Sequence, residues 1–187
     1  MAKGASRAGR PQRLLTLLRH AKSSWTVPGK RDVERPLNAR GRQAVPMMAA
    51  ELVRLEAPPQ LVLCSSAMRA RQTLDLVLPA LKGAPEVLYE DALYLASPRV
   101  LLARLHRVGP DTASVLMIGH NPGLHALALD LTATGARDTI TQLTRKLPTA
   151  GLVLLGFDAA DWTGVMPATG HLIAFKTPKG LGQDADD

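Results

Sequence analysis

The sequence holds a single cysteine, Cys64, so no internal disulfide can form. Aromatic residues are only 3% of the chain, which leaves few faces for nucleobases to stack on. No nucleic-acid recognition motif is present either, so no nucleic-acid partner is expected. Long apolar runs are also missing. The longest uncharged stretch, Thr112 to Leu129, contains Gly119, His120, Asn121, Pro122 and His125, and reads as strand, turn and helix, not as a membrane span. Leu14 to Leu18 is too short for a secretory signal. The expectation is a soluble cytoplasmic protein with no membrane partner.

Apolar residues make up 46% of the 187, enough for one domain with a real core. The net charge of +7 is unevenly spread. Residues 1–42 carry 11 Lys/Arg against 2 Asp/Glu, and residues 43–187 carry 12 against 14. The excess is a local field at one end of the chain, suited to an anion such as phosphate or an acidic partner surface. Residues 1–12 read as a flexible basic tail, 13–176 as the domain, and 177–187 as a polar tail.

Leu14–Leu18, Leu61–Leu63 and Val115–Ile118 are short continuous apolar runs, expected for strands buried on both faces. Asn38 is placed to cap a helix over 39–56 with Pro46 inside it. Ser65 or Ser66 is placed to cap the next helix, and Ser97-Pro98 and Asn121-Pro122 read as further helix starts. Leu152–Phe157 and Leu172–Phe175 are expected as late strands. This alternation predicts an α/β fold, a three-layer α/β/α sandwich on a mainly parallel sheet.

In such folds ligands bind beyond the carboxyl ends of the strands. The first strand delivers Arg19-His20-Ala21-Lys22-Ser23 there, the second Ser65-Ser66 with Arg69 in the following helix, and the third Gly119-His120-Asn121. Two histidines and two arginines at three strand ends suit phosphoryl transfer. A neutral imidazole is a nucleophile at phosphorus. Guanidinium forks match the equatorial oxygens in shape and charge. His20, Arg19, Arg69 and His120 are therefore the candidate catalytic residues. Ser23 and Asn121 join Arg19, Arg69 and His120 as candidates for binding the phosphate. No metal and no cofactor is called for, because the arginines supply the charge. Cys64 and Arg69 are separated by four residues without a glycine, too tight for a cysteine-phosphatase phosphate loop. His106, His125 and His171 read as structural or exposed. His120 and His125 are poorly spaced for zinc on one helix face.

These residues carry a resemblance. Leu18 to Trp25, Arg35 to Gly41, Ser65 to Thr73 and Gly119 to Pro122 together resemble the ordered motifs of the histidine phosphatase superfamily, the phosphoglycerate-mutase-like fold. The run Arg19-His20-Ala21-Lys22-Ser23-Ser24-Trp25 is most similar to the SixA-type branch, which removes phosphate from phosphohistidine in phosphorelay domains. The resemblance implies His20 as nucleophile and Arg19, Arg69 and His120 as its phosphate pocket. It implies as partner a phosphorylated protein, such as a phosphorelay histidine domain, or a small phosphate ester. The oligomeric state is left open. Two departures stand out. Ala21 replaces the usual glycine, and Thr26 stands where larger members have an asparagine. The carboxylic acid many members use falls, by alignment, within Leu93-Tyr94-Leu95, with Glu90 and Asp91 as the nearest candidates. The alternatives are a small-molecule phosphomonoesterase with the same site, and a phosphoprotein-binding module without turnover.

Overall fold

The computed structural model describes residues 12–25, 29–55 and 58–182. Residues 1–11 of the predicted N-terminal tail, residues 183–187 of the predicted C-terminal tail, and also Thr26, lie outside them. Residues 177–182 form a short turn, with Leu181 packed on the core.

Seven strands make one sheet: β1 (Arg13–Arg19), β2 (Leu61–Ser65), β3 (Glu86–Glu90), β4 (Ser114–Gly119), β5 (Thr132–Gly135), β6 (Leu152–Phe157) and β7 (Gly170–Lys176). Their order is β3-β2-β4-β1-β6-β7-β5. β6 runs antiparallel to both of its neighbours and the other ladders are parallel, so the sheet is mixed but mostly parallel.

The continuous apolar runs arise because successive side chains feed two separate cores. Leu15, Leu17, Leu63, Val115 and Met117 pack with α3 (Pro98–Leu105), α4 (Gly123–Leu131) and α5 (Arg137–Arg145). Leu18, Val62, Cys64, Leu116 and Ile118 pack with α1 (Ala39–Arg54) and α2 (Met68–Val77). Helices thus cover both faces, giving the three expected layers.

Asn38 caps α1 as predicted, its Oδ1 accepting from the Gly41 amide at 2.8 Å, and the helix runs through Pro46. Two predicted caps are corrected. Ala67, with no side-chain cap bond, precedes α2, and the Ser65 hydroxyl instead meets His120 Nε2 and the Ala67 amide. α4 starts at Gly123 after Pro122, and the Asn121 side chain instead reaches the Leu147 carbonyl. Three elements were not anticipated. β3 and β5 are only five and four residues long, and α5 has a thin apolar stripe of Ile140 and Leu143.

Candidate active site

β1 and β4 are parallel neighbours in register, Arg19 level with Gly119. The next residue of each strand is a histidine, so His20 and His120 emerge side by side, their ring centroids 4.9 Å apart. Two contacts fix the loop after β1. The Ala21 amide donates to Thr73 Oγ1 of α2 at 3.0 Å, and the Asn38 amide donates to the Lys22 carbonyl at 3.0 Å. Gly41 is required here, since a Cβ on it would lie 2.2 Å from the Lys22 carbonyl oxygen. Thr73 also donates to the Arg69 carbonyl at 2.7 Å, tying the loop to the helix that carries Arg69.

His20 is buried, and its two ring nitrogens have different partners. Nδ1 lies 2.8 Å from the Ala21 carbonyl, which only accepts. Nε2 lies 3.2 Å from Arg69 Nε–H, which only donates. Hydrogen-bond logic therefore assigns the proton to Nδ1 and a lone pair to Nε2. Burial lowers the pKa from 6.5 to about 3; His120, Arg69 and Arg19 push the same way, and the Ala21 carbonyl opposes them. The ring is neutral at physiological pH.

Arg69 is itself buried and held by a residue missed in the sequence, Asp32. Its Nη1 donates to the Asp32 carbonyl at 2.6 Å and its Nη2 to Asp32 Oδ2 at 2.9 Å. The same carboxylate accepts from Tyr94 Oη at 2.5 Å and from Arg35 Nη1 at 2.7 Å. The Tyr94 hydrogen bond, then those of Arg35 and Arg69, hold Asp32 well below the usual carboxylate range despite some desolvation. Its partner Tyr94 is raised above the ordinary tyrosine value, chiefly by that same bond. The Tyr94 ring meets His120 edge-on at 5.4 Å. Tyr94 thus stands at the site within the segment where the alignment seeks an acid. Gly123 lets this segment seat on α4, since a Cβ there would fall 1.8 Å from the Ala96 carbonyl oxygen.

His120 is buried, with its pKa lowered to about 4 by burial first and by Arg69 next. Its Nε2 is 2.8 Å from Ser65 Oγ, and among the described residues its buried Nδ1 has no hydrogen-bond partner. Arg19 Nη1 and Asn121 Nδ2 both donate to the Leu147 carbonyl, at 2.9 and 2.8 Å. Ser23 Oγ accepts from Arg35 Nη2 at 2.8 Å, so Ser23 positions Arg35 at the rim. The Arg35 guanidinium stacks 3.1 Å over Trp25, which is 82% exposed.

The structure brings His20, Arg69 and His120 together, with Arg19 and Asn121 sharing Leu147 beside them and Ser23 on the Arg35 side. It keeps other candidates apart. Glu90 is tied to Arg104 at 2.7 Å, and Asp91 begins a 3-10 turn. Cys64 is fully buried and its thiol is pushed up to about 12, mainly by burial, which removes it as a nucleophile. His106 and His125 bond backbone carbonyls and His171 pairs with Thr134, all structural roles. Nothing local in the sequence couples Asp32 to Arg69. A local signal that could have found Asp32 is its i,i+3 spacing to Arg35, which suits an ion pair.

The sequence profile of the Histidine phosphatase superfamily (branch 1) matches residues 15–94. An uncharacterized protein of Mycobacterium tuberculosis (strain ATCC 25618 / H37Rv) is 35% identical over 169 residues, which is 87% of this chain and all of that protein. Two solved structures share the fold at higher than marginal identity. The proposed phosphohistidine phosphatase SixA from Agrobacterium tumefaciens is 29% identical with a TM-score of 0.74, covering 89% of this chain and 98% of that one. Its counterpart from Nakamurella multipartitia is 27% identical with a TM-score of 0.77, covering 89% and 96%.

Proposed function

The chain belongs to the histidine phosphatase superfamily, in its SixA-type branch, and we propose that it hydrolyses phosphohistidine on a partner protein through a phosphoryl group carried on His20. The observation that carries this reading is the state of the carboxylates. Asp32, the carboxylate in contact with Arg69, is ionised and already accepts from Tyr94, Arg35 and Arg69, so it has no proton to give. Glu90 is held by Arg104.

That matters because leaving groups differ. Expelling an alkoxide, whose conjugate acid has a pKa near that of water at ~15.7, needs a proton from a positioned acid. That service is worth ~10²–10⁴ in rate. An imidazole takes its own proton near neutrality, at ~6.5. A site with no protonated carboxyl group is thus matched to P–N cleavage.

In the first step the Nε2 lone pair of His20 attacks phosphorus. The Nε2–P bond forms as the substrate's P–N bond breaks, and the departing imidazole, already protonated from solvent on its other ring nitrogen, leaves neutral. Arg19, the remaining N–H donors of Arg69 and the His120 ring neutralise the equatorial oxygens. The Ala21 carbonyl stabilises the positive charge that His20 gains. In the second step water attacks phosphorus and releases a proton to solvent, the P–Nε2 bond breaks, and phosphate leaves as His20 regains its lone pair. Charge stabilisation comes from side chains in this account, with no metal ion in either step. Exposed Trp25 beside the site suits an aromatic anchor for a protein partner.

The test is a comparison of kcat/KM for a phosphohistidine peptide and an alkyl monophosphate, each with and without EDTA. The expected result is a preference for the peptide of at least ~10², unaffected by the chelator. Equal or better turnover of the alkyl ester, or loss of activity in EDTA with return on adding a divalent metal, contradicts the reading.

A further inference from the structure

Next to the phosphoryl pocket lies a second cavity, of about 500 Å³, that the mechanism above does not use. Five cationic residues line it: Lys22 from the loop after β1, Arg40 from α1, Arg145 and Lys146 at the end of α5, and Lys179 after β7. Among the described residues that line it, none is acidic. Phe175 and Pro178 add apolar surface beneath the charges. The volume falls in the range of ligand pockets, ~300–1,000 Å³. It gathers a good part of the chain's cationic excess into one concavity, where the field on an anion is strongest.

Strand register fixes where this cavity sits relative to His20. β6 separates β1 from β7, and Leu18, Leu152 and Lys176 form one row across the three strands. The row is two strand spacings wide, roughly 10 Å, with Arg19 and His20 following Leu18 at one end and the cavity residues Thr177 and Pro178 following Lys176 at the other. On the other side, Lys22 is only two residues from His20 along the chain. The two concavities open at the same carboxyl edge of the sheet and share the segment after β1.

We propose that this cavity is a second anion subsite, which holds a carboxylate or phosphate of the substrate about 10 Å from the phosphoryl group being transferred. The inference rests on the phosphatase reading for its peptide form. An extended peptide advances ~3.3 Å per residue, so acidic side chains about three residues from the phosphohistidine reach the cavity. A bisphosphorylated small molecule reaches it with its second phosphate. A substrate with one anionic group fills only the pocket at His20.

The experiment uses the full chain and a charge-neutralised variant, Arg145→Gln with Lys179→Gln. Both side chains are exposed, and Arg145→Gln alone serves if the double variant unfolds early in a melt. The first arm compares kcat/KM for a phosphohistidine peptide with two glutamates three residues away against the same peptide with glutamines. The second arm compares inhibition by hexane-1,6-bisphosphate with inhibition by hexyl monophosphate. We expect the wild type to favour the acidic peptide at least fivefold through KM, and the variant to lose that preference. If only the bisphosphate shows a fivefold advantage that the variant loses, the subsite stands and its natural anion is a phosphate. If neither pair differs in the wild type, or if the preference survives in the variant, the proposal is overturned. Failure of the wild type to hydrolyse either peptide counts against the phosphohistidine reading, and the inhibition arm still decides the subsite.

Discussion

Arg69 Nε directs its hydrogen at His20 Nε2 across 3.2 Å, while the far edge of the same guanidinium grips Asp32. A donor that never loses its proton faces the nitrogen we propose as nucleophile, so a protonated His20 meets it only with repulsion. The pair keeps the imidazole neutral and its Nε2 lone pair unprotonated, held by the Arg69 hydrogen bond until phosphorus takes its place. Asp32 in turn fixes the arginine's plane.

That plane is what Arg69→Lys removes. An ammonium cannot face His20 and clasp Asp32 at both its carboxylate and its carbonyl. We expect kcat to fall by ~10²–10³, the usual cost of losing an oriented charge donor. The fold should be retained, as judged by circular dichroism. Steady-state rates for Lys close to those for Arg would place Arg69 outside the pocket.

Gly41→Ala tests the loop after β1 from behind. The added methyl meets the Lys22 backbone, which cannot move without shifting Ala21 and His20. Overpacking of this kind costs about 1–3 kcal/mol. For a chain of this size each kcal/mol lowers Tm by ~2–4 °C. A thermal melt should show that drop together with reduced kcat. An unchanged melt and rate would mean that the loop is not clamped by α1.

Stability should depend on pH through the two buried histidines. Their folded pKa values, about 3 for His20 and about 4 for His120, lie below the ordinary 6.5. Between those values the unfolded chain binds protons that the folded chain refuses, so stability falls as pH falls from 6.5. Asp32 is depressed below its ordinary 3.8, so its contribution is present above that pH and lost only below it. The window from pH 6.5 to 4.5 therefore belongs to the histidines. Denaturant titrations should show roughly two protons taken up on unfolding in this window, and roughly one in His20→Ala. The same slope in both proteins would mean that His20 is not buried in neutral form.

Glu90→Gln addresses the missing acid. Glu90 pairs with Arg104 with both side chains only about one-fifth exposed, 22% and 18%, and a hydrogen bond to a charged group is worth ~1.5–3 kcal/mol. Phosphohistidine hydrolysis should stay within about threefold, with Tm lowered by several degrees. A loss of ~10² or more in rate would identify Glu90 as the proton donor.

The strand ends were legible in the sequence because buried strands write themselves as apolar runs, and the polar residues that follow must sit at the sheet's edge. Arg19, His20 and His120 were placed at that edge this way, and Arg69 by its position in the first turn of α2. The register that sets the two rings level was not legible, since it depends on pairing between residues a hundred positions apart. Asp32 was missed for the same reason. Residues 26–37 hold two prolines, a glycine and five charges and read only as a loop, and the grip of Asp32 on Arg69 spans 37 positions. Ser65 and Asn121 were recognised as polar residues at helix starts. Their side chains went instead to His120 and to Leu147, partners supplied by other strands and loops. Short edge strands and the thin stripe of α5 carry too few apolar residues to give a pattern.

The central claim is that the phosphoryl group passes through His20 Nε2. Rapid-quench single turnover with a ³²P-labelled phosphohistidine peptide, followed by peptide mapping and ³¹P NMR of the quenched enzyme, measures this directly. The account predicts transient label on His20 at Nε2, stable in alkali and lost in acid as an N-linked phosphate must be, and no label with His20→Ala. Turnover without labelled enzyme, label on another side chain, or a His20→Ala enzyme within tenfold of the wild-type rate would contradict it.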